Sequence, residues 1–261
     1  MIEIESCGPL CTIQDTGRTG WRRIGLPRSG ALDTLALALA NTLVGNPWDA
    51  PAIELFLAGM SIAVSCHPVR LAIAGAEMPT TIDGERIAAH RSFVLHPGQR
   101  LTIGAVRRGA TAVLAVEGGL VVPLILGSAS LHVRSGVGGL DGRSLRPGDR
   151  IAVPRATRRT WELGARPLPI AAEQPLRIVP GPQDTLFSPA DLDLLGHSEF
   201  RVTHECDRMA YRLNGRPLSQ GAGHMFVSDG MVEGALQVTG SGQLIVPLAD
   251  CQTIGGYPKI A

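Results

Sequence analysis

The chain is 261 residues long, enough to bury a core without disulfide or metal staples. With 44% hydrophobic and 18% charged residues it has the balance of a folded globular protein, and disorder is excluded as its dominant state. Twenty-four Lys and Arg against 23 Asp and Glu leave a net charge of +1, which argues against a dedicated nucleic-acid binder. The pairs Arg107-Arg108 and Arg158-Arg159 read as solvated faces. Cys7, Cys11, Cys66, Cys206 and Cys251 form no CxxC pair, so no metal site is expected. Their odd number and the lack of a signal peptide predict reduced thiols in a cytoplasm. No apolar run reaches about 18 residues, so no membrane span is expected.

Gly 32 and Pro 19 make about a fifth of the chain and favour short elements joined by turns. Strands are predicted at 1–7, 61–65 and 69–76, then at 80–87, where Asp83-Gly84 signals a two-residue hairpin turn. Runs at 92–95 and 100–103 flank a second turn, His96-Pro97-Gly98, and 111–116, 150–153, 176–179 and 200–203 continue the series. Near the end, 235–238 and 243–248 flank Gly240-Ser241-Gly242, a third hairpin. Two helices stand out. Residues 31–44 carry Leu32, Leu35, Ala36, Leu39, Ala40 and Leu43 at helical spacing, and Gly45 and Pro47 end the run. The other starts at Ser188-Pro189 with Asp191 three residues after the cap, and stops at Gly196. The class is a β-rich α+β fold. The weakly periodic stretch at 161–174 is read as a linker between lobes at 1–160 and 175–261. Strands running into Gly8-Pro9 and into Gly181-Pro182 hint at duplication.

No Walker loop, HExxH or GxSxG is present. The glycine-rich stretch 136–143 could wrap amides around an anion, but no helical pattern follows, which favours a plain tight loop. The segment 25–33 leads into the main helix, whose N-terminus could hold an anion; the competing reading is a cap by Ser29 or Asp33. Around Gly17 cluster Gln14, Asp15 and Arg18; around Gly255-Gly256 cluster Asp250, Gln252, Thr253, Tyr257 and Lys259, the only lysine.

In order along the chain, QDTGR (14–18), GLPRSGALD (25–33), LVGNP (43–47), GVGGLDGRSLRPGD (136–149), CDRMAYRL (206–213), SDGMVEGALQV (228–238) and ADCQTIGGYPKIA (249–261) resemble the biotin-dependent carboxyltransferase/allophanate hydrolase subunit 2 family. The resemblance implies two cyclophilin-like β-barrel lobes with a cleft between them. It also implies a partner, the B subunit of the same complex, with an A subunit as a further candidate. Family members run on for a few strands past the last motif, so the resemblance implies a C-terminal lobe cut short at Ala261.

The activity implied first is that of the C subunit in an ATP-dependent 5-oxoprolinase, opening the lactam of 5-oxoproline to L-glutamate in the cytoplasm. Amide resonance, the source of a rotation barrier of about 18–20 kcal/mol, explains the need for ATP. ATP is the expected cofactor; with no Walker motif, its site must be atypical on this chain or shared with a partner protein. Arg18 and Arg208 are candidates for the substrate carboxylate or a phosphate. Asp15, Ser29, Asp33, Gln237, Gln252, Thr253, Gly255 and Gly256 complete the expected substrate-binding set. Lys259, Tyr257 and Asp207 are the catalytic candidates, with Lys259 offsetting developing charge. The competing reading of Asp15, Asp33 and Asp207 is that they only cap turns or pair with the arginines. Two alternatives stand: carboxyl transfer from carboxybiotin to a urea-like acceptor, and a non-catalytic antagonist of a kinase inhibitor. The Tyr-Pro-Lys-Ile context is not a biotin-carrier motif, so no covalent biotin is expected here.

Overall fold

The computed structural model describes residues 1–154, 162–166, 175–219 and 227–261. Most of the predicted linker, and Arg158-Arg159, fall outside them. The chain divides into two compact units: Met1–Arg18 with Ser29–Ala171, and Thr19–Arg28 with Ala172–Ala261. Residues 19–28 thus count with the second unit, although their sequence position places them in the first lobe. The fold is β-rich with few helices.

The first unit holds two open antiparallel sheets. In the six-stranded one, Ile2–Cys7 lies between Arg150–Ile151 and Met60–Val64, followed by Arg100–Ile103 and the hairpin Thr80–Ile82/Glu85–Arg86. That hairpin turns on Asp83 and Gly84 with φ of 50° and 89°, the positive pair its two-residue turn requires. The five-stranded sheet runs Cys11–Gln14, Ala52–Phe56, Arg108–Val116, Val69–Glu77, Ser92–Leu95. Ile2, Ile4, Ile62 and Leu101 from one sheet share a core with Ile53, Leu55, Leu71 and Leu114 from the other. On its second face the five-stranded sheet presents Ala52, Ala72, Ala74, Val113 and Ala115 to helix α1, Thr34–Leu43. Small residues there let the helix approach closely.

In this unit the structure corrects three expectations. The His96-Pro97-Gly98 turn forms, but its flanking strands join different sheets, because each finds a longer partner elsewhere. The buried stripe of α1 is Ala36, Leu37, Ala40, Asn41 and Leu43, while Leu35 is 58% exposed. Strands at Cys11–Gln14 and Ala52–Phe56 were not foreseen; buried along their whole length, they lack the alternation that marks a half-buried strand.

The second unit has a four-stranded antiparallel sheet, Arg201–Val202, Ala210–Asn214, Leu244–Pro247, Gln237–Val238, and a two-stranded pair, Asp229–Gly230 with Ile254–Gly255. The predicted Gly240-Ser241-Gly242 turn joins Gln237–Val238 to Leu244–Pro247. Helix α2, Pro189–His197, carries the expected capping box, Ser188 with Asp191. The core of this unit comprises Phe187, Leu218, Val238, Leu244 and Ile260. Residues 176–179 form no strand: Leu176 is 92% and Val179 80% exposed. An apolar run makes a strand only where a neighbouring backbone can pair with it.

Candidate functional site

In the first unit the buried Asp15 organises the loop that follows Cys11–Gln14. Its carboxylate accepts from Gly17 N–H at 2.7 Å, Ser128 Oγ at 2.6 Å, Ser130 Oγ at 2.5 Å and Ala129 N–H at 2.7 Å. Four donors leave it little capacity for a substrate, and its task is to hold residues 128–130 against the loop. Gln14, also buried, donates to Thr12 Oγ1 and the Leu131 carbonyl and accepts from Gly30 N–H. Arg18 is 1% exposed and donates to the Ser130 carbonyl. Gly138 packs against this contact: a Cβ there would lie 2.7 Å from the Arg18 guanidinium and closer still to the Ser130 oxygen, so only glycine fits. Ser29 is fully buried, sits at φ 55°, and its hydroxyl has no hydrogen-bond partner among the described residues.

Neither place offered for a phosphate fits one. In the glycine-rich stretch the N–H groups of Gly136, Val137, Gly139, Gly142 and Arg143 are spent on Val133, His132, Ala129, Gly138 and Leu140 carbonyls. Arg143 forks onto Asp149 at 2.8 Å on both oxygens, and this hydrogen bonding holds the Asp149 carboxyl below its usual range. The stretch is a self-satisfied loop. At the start of α1, Asp33 accepts from Ala36 N–H at 2.8 Å and the buried Glu54 accepts from Leu32 N–H at 2.6 Å. Two carboxylates already occupy the end that would attract an anion. Asp33 is therefore a cap, and Glu54, which nothing in the local sequence singled out, shares its task.

In the second unit Arg208 and Asp250 form a buried bidentate pair, Nε to Oδ2 at 3.0 Å and Nη2 to Oδ1 at 3.2 Å. Two arms of the guanidinium fork expected to take a substrate carboxylate are thus engaged by the protein's own. Asp207 is exposed and ties the turn by accepting from Met209 and Ala210 N–H. Further along, Lys259 is 3% exposed and its Nζ lies 3.3 Å from Oδ2 of Asp229, a half-exposed side chain. The Gly230 N–H and the Lys259 ammonium hold the Asp229 carboxyl below its usual range. Gln183 fixes the backbone beneath: its Oε1 accepts from Lys259 N–H at 3.0 Å, and its own N–H donates to the Lys259 carbonyl.

Gln237 bridges to Lys259 across a short antiparallel pairing and donates to the Tyr257 carbonyl at 3.1 Å. Gly255, paired with Asp229, packs where a side chain would strike Met231 and Gln237. Arg22 donates to the Met231 carbonyl at 2.5 Å. Burial pushes the Cys251 thiol up, and Arg22 beside it only partly offsets this, so Cys251 is an inert packing thiol. Gln252, Gly256 and Tyr257 are exposed and Thr253 is half-buried. The result is a buried cation beside an exposed carboxylate, framed by Gln237 and a diglycine.

The sequence profile of the carboxyltransferase domain, subdomain A and B, matches residues 24–261. The chain belongs to this carboxyltransferase family. It is 36% identical to the 5-oxoprolinase C subunit of Escherichia coli K12 over 262 residues, covering 100% of this chain and 84% of that protein. Among solved structures it resembles TTHA0988, with a TM-score of 0.86 and 34% identity over 99% of this chain and 50% of the other. It also resembles the K. lactis urea amidolyase, with a TM-score of 0.89 and 27% identity over 99% of this chain and 17% of the other. The chain thus spans about half of the first solved structure and a sixth of the second. The first relative is named as a subunit, and the urea amidolyase is a much longer chain.

In this carboxyltransferase-family chain the expected residues gather into two sets. Asp15, Arg18 and Ser29 lie together in the first unit, with Asp33 at the nearby helix start. Lys259, Tyr257, Gln237 and Gly255 lie together in the second, and Arg208 and Asp207 belong to the turn that Asp250 anchors. Sequence reasoning missed Ser128, Ser130, Asp229 and Gln183. All four act from more than twenty-five residues away; the available signals were the polarity of Ser128-Ala129-Ser130 after an apolar run and the place of Asp229 in the motif at 228–238. Among the described residues no group of three or more His, Cys, Asp or Glu could hold a metal ion, and no helix is long and apolar enough to cross a membrane.

Proposed function

We propose that this chain is the C subunit of a 5-oxoprolinase, working with B and A partner proteins in the cytoplasm on the lactam of 5-oxoproline to give L-glutamate. The observation that carries the reading is the similarity to a protein of that name along the whole of this chain. The two sheets of the first unit share one core but stay open, so the closed barrel expected of that lobe is not formed by them. The phosphate sites offered by the sequence are filled by the protein's own carboxylates and carbonyls, so ATP is assigned to a partner protein.

On this chain the chemistry belongs to Lys259. A buried ammonium, steadied by Asp229, offsets negative charge on the phosphoryl group that passes from ATP to the lactam oxygen, after which water attacks the ring carbonyl, the ring C–N bond breaks and phosphate leaves. Gln237 and the Gly255-Gly256 backbone set the position of the lactam oxygen, and Tyr257 borders it.

The test is co-expression of the chain with its partner proteins, followed by measurement of phosphate and glutamate release with and without 5-oxoproline. Lys259→Met is expected to form the same complex and lose about a hundredfold or more in turnover. A Lys259→Met complex with full turnover would remove Lys259 from the mechanism. A wild-type complex without 5-oxoproline-dependent turnover would sink the reading itself.

The family match and the likeness to urea amidolyase support a second reading, carboxyl transfer from carboxybiotin to a urea-like acceptor. Lys259, the only lysine, is buried, so the biotin would ride on a separate carrier. Transfer of labelled carboxyl from such a carrier to urea, with no response to 5-oxoproline, would favour this reading over the first.

A further inference from the structure

Lys259 and Asp229 are anchored to different degrees. The lysine's stretch is fixed from two sides. On one, Val238 N–H donates to the Pro258 carbonyl at 3.0 Å and Ile260 N–H to the Leu236 carbonyl at 2.9 Å. On the other, Gly181 N–H donates to the Ile260 carbonyl at 2.8 Å, beside the contacts of Gln183. Asp229, in contrast, opens a two-residue strand, and its side chain is 57% exposed. Water competes with an ammonium for an exposed carboxylate, so the place of Asp229 depends on how firmly its backbone is seated.

That seat is Met231, two residues on. Its side chain is buried against Gly255, where a Cβ would lie 2.7 Å from the Met231 sulfur. Its N–H donates to the Thr253 carbonyl at 2.9 Å, and its carbonyl accepts from Arg22 Nη2 at 2.5 Å. Arg22 is itself set in a tight turn, Arg22–Ile24, closed by Gly25 at φ 87°, whose N–H donates to the Arg22 carbonyl at 3.0 Å. The segment Thr19–Arg28, which counts with the second unit, meets the same stretch again where Arg28 pairs with Glu233 at 3.1 Å. That second contact is exposed and screened by solvent. The first is a charge-assisted hydrogen bond from a half-buried guanidinium, and it is the stronger of the two.

We propose, on the reading that places the chemistry at Lys259, that Arg22 is a positioning residue for this site: by clamping the Met231 carbonyl it keeps Asp229 beside Lys259. Arg22 acts through the backbone from Met231 to Asp229. Without the clamp the end of the strand relaxes toward water, and the buried ammonium loses the carboxylate that aims it. A displacement of about 1 Å at a charged group is enough to slow a reaction severely.

Two measurements test this. In the full chain the Asp229 carboxyl is followed by carbon NMR as pH is lowered, its signal being identified by its loss in Asp229→Asn. In the wild type the Gly230 N–H and the Lys259 ammonium hold that carboxyl below its usual range. Arg22→Met is expected to let it rise toward that range, and Arg28→Met to leave it in place. In the complex, Arg22→Met should lower kcat about tenfold with KM for 5-oxoproline within about twofold, and should add no loss in an Asp229→Asn background. An unmoved carboxyl or full turnover in Arg22→Met, an equal rise in Arg28→Met, or additive losses in the double variant would overturn the proposal. If Arg22→Met does not fold, Arg22→Gln, whose amide falls short of the Met231 carbonyl, is read in the same way. A wild-type complex without 5-oxoproline-dependent turnover would sink the reading of the reaction; the carboxyl titration, which needs no partner, would still decide whether Arg22 places Asp229.

Discussion

The two units solve the problem of stability differently. In the first, among the described residues, twenty-five buried apolar residues from two sheets and their connecting loops form one cluster, and eleven more pack α1 and its neighbours against the sheet. In the second, among the described residues, the corresponding cluster has five buried apolar residues, beside strands of two to five residues. At about 25 cal/mol per Å² of apolar surface, a core of that size leaves a thin margin against chain entropy. The second unit supplements it with polar constructions: the Arg208–Asp250 pair, the Lys259–Asp229–Gln183 cluster and the Ser188–Asp191–Ser219 cap. An apolar core tolerates small errors of geometry, whereas a buried charge does not. The first unit has buried polar clusters too, Asp15 with its serines above all, but the unit poorer in core leans on them more, and it holds Lys259.

The contrast can be broken most sharply at Asp250. Asp250→Ala leaves Arg208 buried without its carboxylate, and should cost about 3–5 kcal/mol. Amide hydrogen exchange should accelerate across Ala210–Asn214 and Leu244–Pro247 and remain slow across Val69–Glu77. Uniform acceleration in both units would mean that they unfold as one cooperative whole.

A smaller effect is expected on acidification. Burial pushes the Asp191 carboxyl up, but hydrogen bonds from Ser188 and Ser219 outweigh it and bring it down to about 2. Since an unfolded Asp titrates near about 3.9, this group stabilises the native state above that pH, and the contribution is lost as pH falls from about 4 to 2. Circular dichroism should show α2 and its neighbours loosening in that window, and Ser188→Ala should cost about 1 kcal/mol through the lost cap. Absence of any acid transition in that window would remove Asp191 from the second unit's support. The smallest effect belongs to the first unit. Arg100–Glu5 is an exposed pair at 2.5 Å, and Arg100→Ala should leave the thermal midpoint unchanged because solvent screens it.

Much of this was legible in local sequence, and the misses share a cause. Ser92–Leu95, Arg100–Ile103, the Asp83-Gly84 turn and the Ser188 capping box were readable because each depends on residues within a few positions of one another. Leu35 of α1 was misplaced because helical spacing fits two overlapping faces, and only the alanine face of the sheet chooses between them. The polar cluster around Gly17 was visible at once, yet its purpose was not: Asp15 binds serines 113 and 115 residues away. Arg208 looked available for an anion until Asp250, 42 residues on, was found in its fork.

By itself the sequence determined the β-rich class, the helix caps, the turn chemistry and, through its ordered motifs, the family. These rest on backbone sterics and on hydrogen bonds between near neighbours, which a short segment carries wherever it is placed. Only the tertiary structure decided which strands share a sheet, which polar residues are spent on the fold, and that Lys259 is a buried cation beside an exposed carboxylate. Those outcomes are set by desolvation and by partners distant in the chain, and no local pattern encodes the identity of a partner.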